Sequence, residues 1–396
     1  MLSVSGKNWE EIVVNKRFLE KMKVDNSFSE ILSRLIVSRN YNDEEIYSIN
    51  ETINFANPFI KNNDFYLSSK ILKKNIEKKH KILVIGDYDV DGCISTSIFA
   101  YFLRKNKASY NYYIPDRFKD GYGVSLKLIK ELIKKENPKL VVMLDCGSTS
   151  NDSINYLNQN NIESLIIDHH NINEPYPKSN ALINPKKECN YKNFDYLCAA
   201  SLTYFFLDYY IRKLNLSISI KYYEIYVLMA SICDVMPLRN FNRYFAIKTL
   251  HKFDFNKDPI LKNFFSILKL KRKLTVDDLA YYIGPIINSA GRIANANIVV
   301  ELLTSSDNKI QQKIIKNLYQ LNEKRKKIEE EFLKKINLDN LVRDKGVIFI
   351  SNKYISEGIV GIIASRIKDY TNRPCIILSK KGQVLKGSAR STFNFN

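Results

Sequence analysis

Three short apolar runs, each stopping at an aspartate, govern what this chain can fold into. KILVIGD ends at Asp87, KLVVMLD at Asp145 and ESLIID at Asp168. Runs of this length, rich in Val, Ile and Leu, read as strands buried on both faces. SYNYYIPDR reads as a further strand, and ISTSIFAYFLRK and VSLKLIKELIKK carry apolar residues at helical spacing. Strands alternating with helices predict a parallel sheet with right-handed crossovers and helices on both faces, so the expected fold class is α/β. Ligands of such sheets bind beyond the carboxyl ends of the strands. Chance places one acid at such an end; three acids, each followed by a polar or glycine-containing turn, form a pattern.

A chain of 396 residues is too long for one ordinary core. The expected organisation is an N-terminal helical segment (1–75), the parallel-sheet domain (76–240), a helical extension (241–305), a long connecting helix (306–340) and a partial second α/β domain (341–396). In the first segment Phe28, Ile31, Leu32 and Leu35 stand at helical spacing. LNEKRKKIEEEF in the connecting helix fits a solvated surface and a nucleic-acid contact equally well. GVIFI, GIVGIIASRIKDY, PCIIL and QVLKGSARS announce the second α/β unit.

Lys+Arg number 61 against 42 Asp+Glu, a net charge of +19 that attracts polyanions, nucleic acid first among them. A chain rich in Asn, Ile and Lys acquires such an excess from composition alone, so charge supports this partner without establishing it. The six cysteines, at 93, 146, 189, 198, 233 and 375, form no CxxC pair. A zinc site is therefore not indicated, and a reducing cytoplasm is expected. MLSVSGKNWEE lacks the apolar stretch of a signal peptide, and no run approaches the ~20 apolar residues of a membrane span, so a soluble protein is expected.

Gly86-Asp87-Tyr88-Asp89-Val90-Asp91-Gly92 places three carboxylates at alternate positions, which in extended backbone point the same way. Carboxylates that close repel unless a cation neutralises them, and a hard divalent ion is the natural one. An Asp-rich turn capping the next helix is the competing reading. Asp168-His169-His170 holds two of the four histidines in the chain. A neutral imidazole ligates a transition metal and a neighbouring carboxylate fixes its tautomer; a surface-loop His pair is the plainer alternative. Mixed carboxylate and imidazole ligands favour Mn²⁺ over an all-oxygen Mg²⁺ site. Asp145 precedes Cys146-Gly147, and Asp234 closes the apolar run SIC, where an unpaired acid is costly to bury unless it is a helix-terminal turn residue. Together these residues describe a site for two ions about 3.5–4 Å apart, the arrangement suited to phosphoryl transfer. No G-x-x-x-x-G-K-[ST] loop is present, so ATP binding of that type is not indicated.

IGDYDVDG, DCGS, IDHH and ICDVMPL, in that order, resemble the four motifs of the DHH phosphoesterase superfamily. PDRFKDGYGV and IGPIINSAGRI resemble segments of one branch, the RecJ single-stranded-DNA exonucleases. EGIVGIIASRIKDYTNRPCIIL and KGSARS resemble the accessory DHHA1 domain, and the resemblance runs from about residue 5 to the end. It implies Asp87, Asp89, Asp145, His169, His170 and Asp234 as ligands of two Mn²⁺ or Mg²⁺ ions. Asp91 and Asp168 become supporting acids, with Arg292 and one of the two histidines acting on the scissile phosphate. Arg117, Asn288, Ser289, Arg292, Arg366, Ser388 and Arg390 become substrate contacts; for each arginine a surface ion pair is the alternative.

Ile286 replaces an arginine of the family pattern, and Ser356 a histidine. RecJ proteins continue through the rest of DHHA1 into an oligonucleotide-binding domain, so a stop at Asn396 reads as a fragment or as a shortened form binding single strands less well. The implied activity is 5′→3′ hydrolysis of single-stranded DNA to mononucleotides in repair and recombination, beside a single-strand-binding protein and a helicase. A short-oligonucleotide phosphodiesterase or nucleotide phosphatase is the rival within the superfamily, separated by dependence on substrate length. A non-catalytic single-strand-binding scaffold is the rival outside it, separated by binding without metal or cleavage.

Overall fold

The computed structural model describes residues 3–4, 8–50, 56–121, 123–187, 191, 194–336 and 346–392. Cys189 and positions 337–340 of the expected connecting helix lie outside the described residues, as does Tyr122 of PDRFKDGYGV. The chain divides into two compact units, residues 1–56 with 238–247, and residues 57–237 with 248–396.

The first unit carries α1 (Lys16–Asn26), α2 (Glu30–Ser38) and α3 (Asp43–Asn50), the first two capped by the side chains of Asn15 and Ser29. Phe28 and Ile36 are buried, whereas Ile31 and Leu35 face solvent. Glu45 is fully buried and receives the Arg239 guanidinium and the Asn42 and Asn240 N–H groups. The Arg239 hydrogen bonds hold its carboxyl down at about 2. This pair brings residues 238–247 to the N-terminal helices, so the structural division does not fall at residue 75.

The second unit begins with α4 (Asn63–Glu77), β1 (Ile82–Ile85), α5 (Val90–Lys105), β2 (Tyr110–Tyr113) and α6 (Leu126–Glu136). It continues with β3 (Leu140–Leu144), α7 (Asn151–Gln159), β4 (Glu163–Ile167), β5 (Ala181–Ile183) and α8 (Ala199–Lys213). Residues 57–75 belong here, because Phe65 and Leu72 of α4 are fully buried and α4 packs on β5 and α8. The strands form one parallel sheet in the order β2-β1-β3-β4-β5. The order reverses between β1 and β3, the switch point where open α/β sheets bind ligands. Leu83, Ile85, Val141, Met143 and Ile166 pack one face against α6 and α7. Their alternates Ile82, Val84 and Val142 are equally buried on the other face, where α5 lies with α8 behind it. Register sets Leu144 beside Ile167, so Asp145 and Asp168 leave the sheet side by side.

Next come α9 (Glu224–Cys233), α10 (Asn240–Lys252), α11 (Pro259–Ile267), a π-helical stretch over Asp278–Ile283, α12 (Gly284–Ile293), α13 (Asn297–Thr304) and α14 (Asn308–Lys335). The long helix α14 is not solvated all round: Ile314, Ile315, Leu318, Asn322, Arg325, Glu329 and Phe332 make a buried stripe, and it packs on α11, α12 and α13. The last elements are β6 (Ile348–Asn352), α15 (Val360–Thr371), β7 (Cys375–Lys381) and β8 (Val384–Arg390). β6 pairs parallel and β8 antiparallel with β7, and α15 covers them around Ile348, Ile359, Ile363, Ile367 and Ile377. The expected α/β class, with a parallel-sheet domain, a connecting helix and a smaller second sheet, is the one observed.

Gly358 docks this second sheet onto α12, since a Cβ there would come within 1.8 Å of the Arg292 carbonyl oxygen. Gly358→Ala is expected to cost about 1–3 kcal/mol through this overpacking. Hydrogen exchange should show β6–β8 losing protection while β1–β5 keep theirs; unchanged protection would mean that the contact is not close.

Candidate metal centre

The loops after β1, β3 and β4 and the end of α9 converge on one place. Asp87 follows β1, and Asp89 caps α5, its Oδ1 accepting from the Gly92 N–H at 3.0 Å. The helix starts at Val90, so the backbone is not extended through Asp91 and the three acids do not share a side. Asp91 serves two places: its carboxylate accepts from Ala199 N and Ala200 N at 2.8 Å each, the start of α8, which has no capping side chain of its own, and its Oδ2 stays 3.7 Å from His169 Nε2. Asp145 holds a left-handed φ of 60°, unusual for a residue with a side chain and a feature of functional loops. Asp234 ends α9, followed by Val235 at φ 57°.

Three sets of potential ligand atoms lie within 4.8 Å of one another: Asp87, Asp89 and Asp145; Asp145, His169 and His170; Asp91, His169 and Asp234. Asp145 is shared by the first two sets and His169 by the last two. His169 Nε2 lies 3.3 Å from both Asp145 Oδ1 and Asp234 Oδ2 and 3.7 Å from Asp91 Oδ2. None of these contacts is aligned as a hydrogen bond, and Asp145 Oδ1, Asp234 Oδ2 and both ring nitrogens of His169 are buried without a partner. Each such atom costs about 1–3 kcal/mol if left unmatched. A divalent cation uses lone pairs of this kind, and a mixed oxygen and imidazole set suits Mn²⁺ or Mg²⁺.

Electrostatics agree. Burial, then the Asp89 charge, pushes Asp87 up to about 7. Burial raises Asp234 to about 6, and burial with the neighbouring acids raises Asp145 well above the carboxylate range. Asp91 rises to about 6 because burial outweighs its two N–H donors. Asp168 behaves oppositely: burial pushes it up, but the His170 hydrogen bond and charge, with the Ser148 N–H, pull it below the ordinary value. Its Oδ1 accepts from His170 Nδ1 at 2.8 Å and from the His169 and His170 N–H groups, and its Oδ2 from Ser148 N. Asp168 is thus spent on holding the histidine loop, and its bond raises His170 to about 9. Asn184, after β5, completes this frame through Ser148 Oγ and the His170 carbonyl. Ser148 and Asn184 went unnoticed in the sequence, although Asn184 carries the same signal as the aspartates, a polar residue ending an apolar run.

The expected phosphate contacts divide. Asn288 Oδ1 accepts from Val90 N at 3.2 Å, beside the metal loop. Arg292 donates to the Gly358 carbonyl, and burial, with Arg117 and Arg325 nearby, lowers it to about 10. Arg117 donates to the Gly291 carbonyl. Arg390 donates to Ser388 Oγ beside it on β8 and to Ser365 Oγ of α15. Ser289 is not brought to the site: its hydroxyl is fully buried and bonded to the Ile286 and Leu318 carbonyls, because α12 turns it towards α14. Arg366 is held by Glu329, which also takes Arg325. Ile286 is buried. A cleft of about 590 Å³ is lined by Asn288, Arg292, Arg325 and Arg366 and by Tyr281, Tyr282 and Tyr319, three aromatics that spacing did not single out.

Because Asp87 and Asp234 sit near 7 and 6, protons compete with a cation for them. Calorimetric Mn²⁺ affinity is expected to fall at least about tenfold from pH 8 to pH 6. These raised carboxyls ionise in the unfolded chain first, near the usual ~4. Metal-free stability should therefore fall as pH rises from about 4 to about 7, and His170, raised to about 9, should carry the fall on to about pH 9. Asp145→Asn should raise the metal-free melting temperature at pH 8 by about 2–4 °C while abolishing stabilisation by Mn²⁺. A metal-free melting temperature lowered by this change would refute uncompensated repulsion.

Residues 81–231 match the DHH family, N-terminal domain. The single-stranded-DNA-specific exonuclease RecJ of Haemophilus influenzae is 27% identical over 88% of this chain and 61% of its own length. That of Bacillus subtilis is 28% identical over 92% and 47% respectively. A crystal structure of exonuclease RecJ bound to manganese superposes with a TM-score of 0.75 at 26% identity, covering 85% of this chain and 84% of that one. The chain thus spans about half to three-fifths of the length of these curated relatives. Residues 81–231 are a DHH-family domain, set in a chain similar to RecJ in both sequence and fold.

Proposed function

We propose that this chain hydrolyses single-stranded DNA from the 5′ end, releasing mononucleotides, with two divalent ions held by Asp87, Asp89, Asp145, His169, His170 and Asp234. The observation that carries the reading is Asp145, buried, left-handed, common to two ligand sets and without a hydrogen-bond partner at Oδ1. When bound, two Mn²⁺ or Mg²⁺ ions supply Lewis acidity at the scissile phosphate and neutralise charge on the leaving oxygen. Asp168 keeps the His170 imidazole and the backbone of both histidines oriented, and Asp91 ties the metal loop to α8. Arg117 and Arg292 offer guanidinium charge to the non-bridging oxygens. Tyr281, Tyr282 and Tyr319 offer ring faces to bases, and the arginines beside them offer charge to the strand, the combination that suits single strands.

Direction, mononucleotide release and a role in repair and recombination rest on the resemblance to RecJ. So do a single-strand-binding protein and a helicase as partners, and residues 341–396 as part of a DHHA1 domain with Ser388 and Arg390 on the strand. A cytoplasmic location is supported by five free cysteines among the described residues. Among those residues no helix is long and apolar enough to cross a membrane.

The test uses single strands labelled at the 5′ or the 3′ end, with Mn²⁺, Mg²⁺ or chelator. The 5′ label should appear at once as mononucleotide, with metal only, and Asp145→Ala should release none. Arg292→Met should lower kcat/KM about 10²-fold. DNA bound but left intact under every metal condition would sink the nuclease reading and favour a binding scaffold. Cleavage confined to the shortest strands would favour a short-oligonucleotide phosphodiesterase.

A further inference from the structure

Tyr88 lies between the metal-loop acids Asp87 and Asp89, yet no ligand set includes it. The residue is 4% exposed, and the Arg117 guanidinium carbon stands 4.2 Å from its ring centroid, within cation–π range. Arg117 Nε also donates to the Gly291 carbonyl at 3.1 Å. A Cβ on Gly291 would come within 2.2 Å of the Tyr88 carbonyl oxygen, so α12 and the metal loop touch where Arg117 is seated. The guanidinium is therefore fixed from two sides, by a ring belonging to the metal loop and by a carbonyl belonging to α12. Arg117 itself comes from the turn after β2, which leaves the sheet beside the β1 end that carries Asp87. Its charge is felt at both Asp87 and Arg292.

We infer that Tyr88 is a positioning residue, whose ring face orients Arg117 towards a phosphate of the strand next to the metal centre. This rests on the nuclease reading above. Held at one orientation, the planar fork of an arginine loses less freedom on meeting a phosphate than a mobile one does. The contact with the guanidinium is made by the ring face, so phenylalanine is expected to replace it and an aliphatic side chain is not.

The experiment is a double-mutant cycle on the full chain, comparing wild type, Tyr88→Phe, Tyr88→Leu, Arg117→Met and Tyr88→Leu/Arg117→Met. It reads kcat and KM on a labelled single strand with Mn²⁺, strand affinity by fluorescence anisotropy, and the rise in melting temperature with Mn²⁺. Tyr88→Leu should raise KM and the strand Kd about fivefold with little change in kcat, and Tyr88→Phe should restore both. In the Arg117→Met background Tyr88→Leu should have no further effect, and stabilisation by Mn²⁺ should persist in every variant. The same loss with and without Arg117, a failure of phenylalanine to rescue, or loss of the Mn²⁺ response in Tyr88→Leu would overturn the inference, leaving Tyr88 as packing beneath the loop. A wild-type chain that binds strands without cleaving them would sink the nuclease reading, while the anisotropy cycle still decides Tyr88. A chain that binds no strand overturns both.

Discussion

Like charges forced together out of water are the constraint on which the rest of this structure depends. Asp91, Asp145 and Asp234 stand around His169 at the carboxyl end of the sheet, with Asp87 and Asp89 beside Asp145. Burial raises the carboxyls of Asp87, Asp91, Asp145 and Asp234 above the ordinary range. Such a cluster persists only if the surrounding fold holds each member in place and something positive can enter. The parallel sheet does the holding. Its central strands β1 and β3 are buried along their whole length, and the β3–β4 register sets the loops bearing Asp145 and Asp168 side by side.

Two acids serve as fasteners, Asp91 in addition to its place next to His169. Asp168 is saturated by N–H donors and His170, which fixes the His170 imidazole and the backbone of both histidines through one carboxylate. Asp91 caps α8, a helix that begins Cys-Ala-Ala and so has no cap of its own. Each fastener joins segments distant in sequence, and each costs a buried charge that several donors offset. The second sheet reaches the same neighbourhood by another route: Gly358 lets its leading loop lie against Arg292 at the end of α12, and Glu329 of α14 gathers Arg325 and Arg366.

Much of this was legible in the chain. Apolar runs ending in Asp87, Asp145 and Asp168 carried both the sheet and the face on which its site lies, because strand burial and strand ends are local properties. The candidate ligands were legible for the same reason: acids and imidazoles where apolar patterning stops are few. The direction of individual side chains was not legible. Alternation suggested that Asp87, Asp89 and Asp91 share a side, but the helix begins inside the motif and turns Asp91 to α8. Ser289 and Arg366 sit in segments resembling phosphate-binding ones, yet packing against α14 occupies the first and Glu329 the second.

The domain division failed for a similar reason. Residues 57–75 are helical like those before them, and only the burial of Phe65 and Leu72 shows that α4 belongs with the sheet. The sequence by itself determined the fold class, the strand ends that bear the acids and the residue types able to hold cations, since periodicity and residue chemistry act over a few positions. The tertiary structure alone decided which acids remain open and which are consumed as caps. It also decided that Arg117 rests on Tyr88 and that the division follows Glu45 and Arg239, because hydrogen bonds between residues far apart in the chain leave no periodic trace.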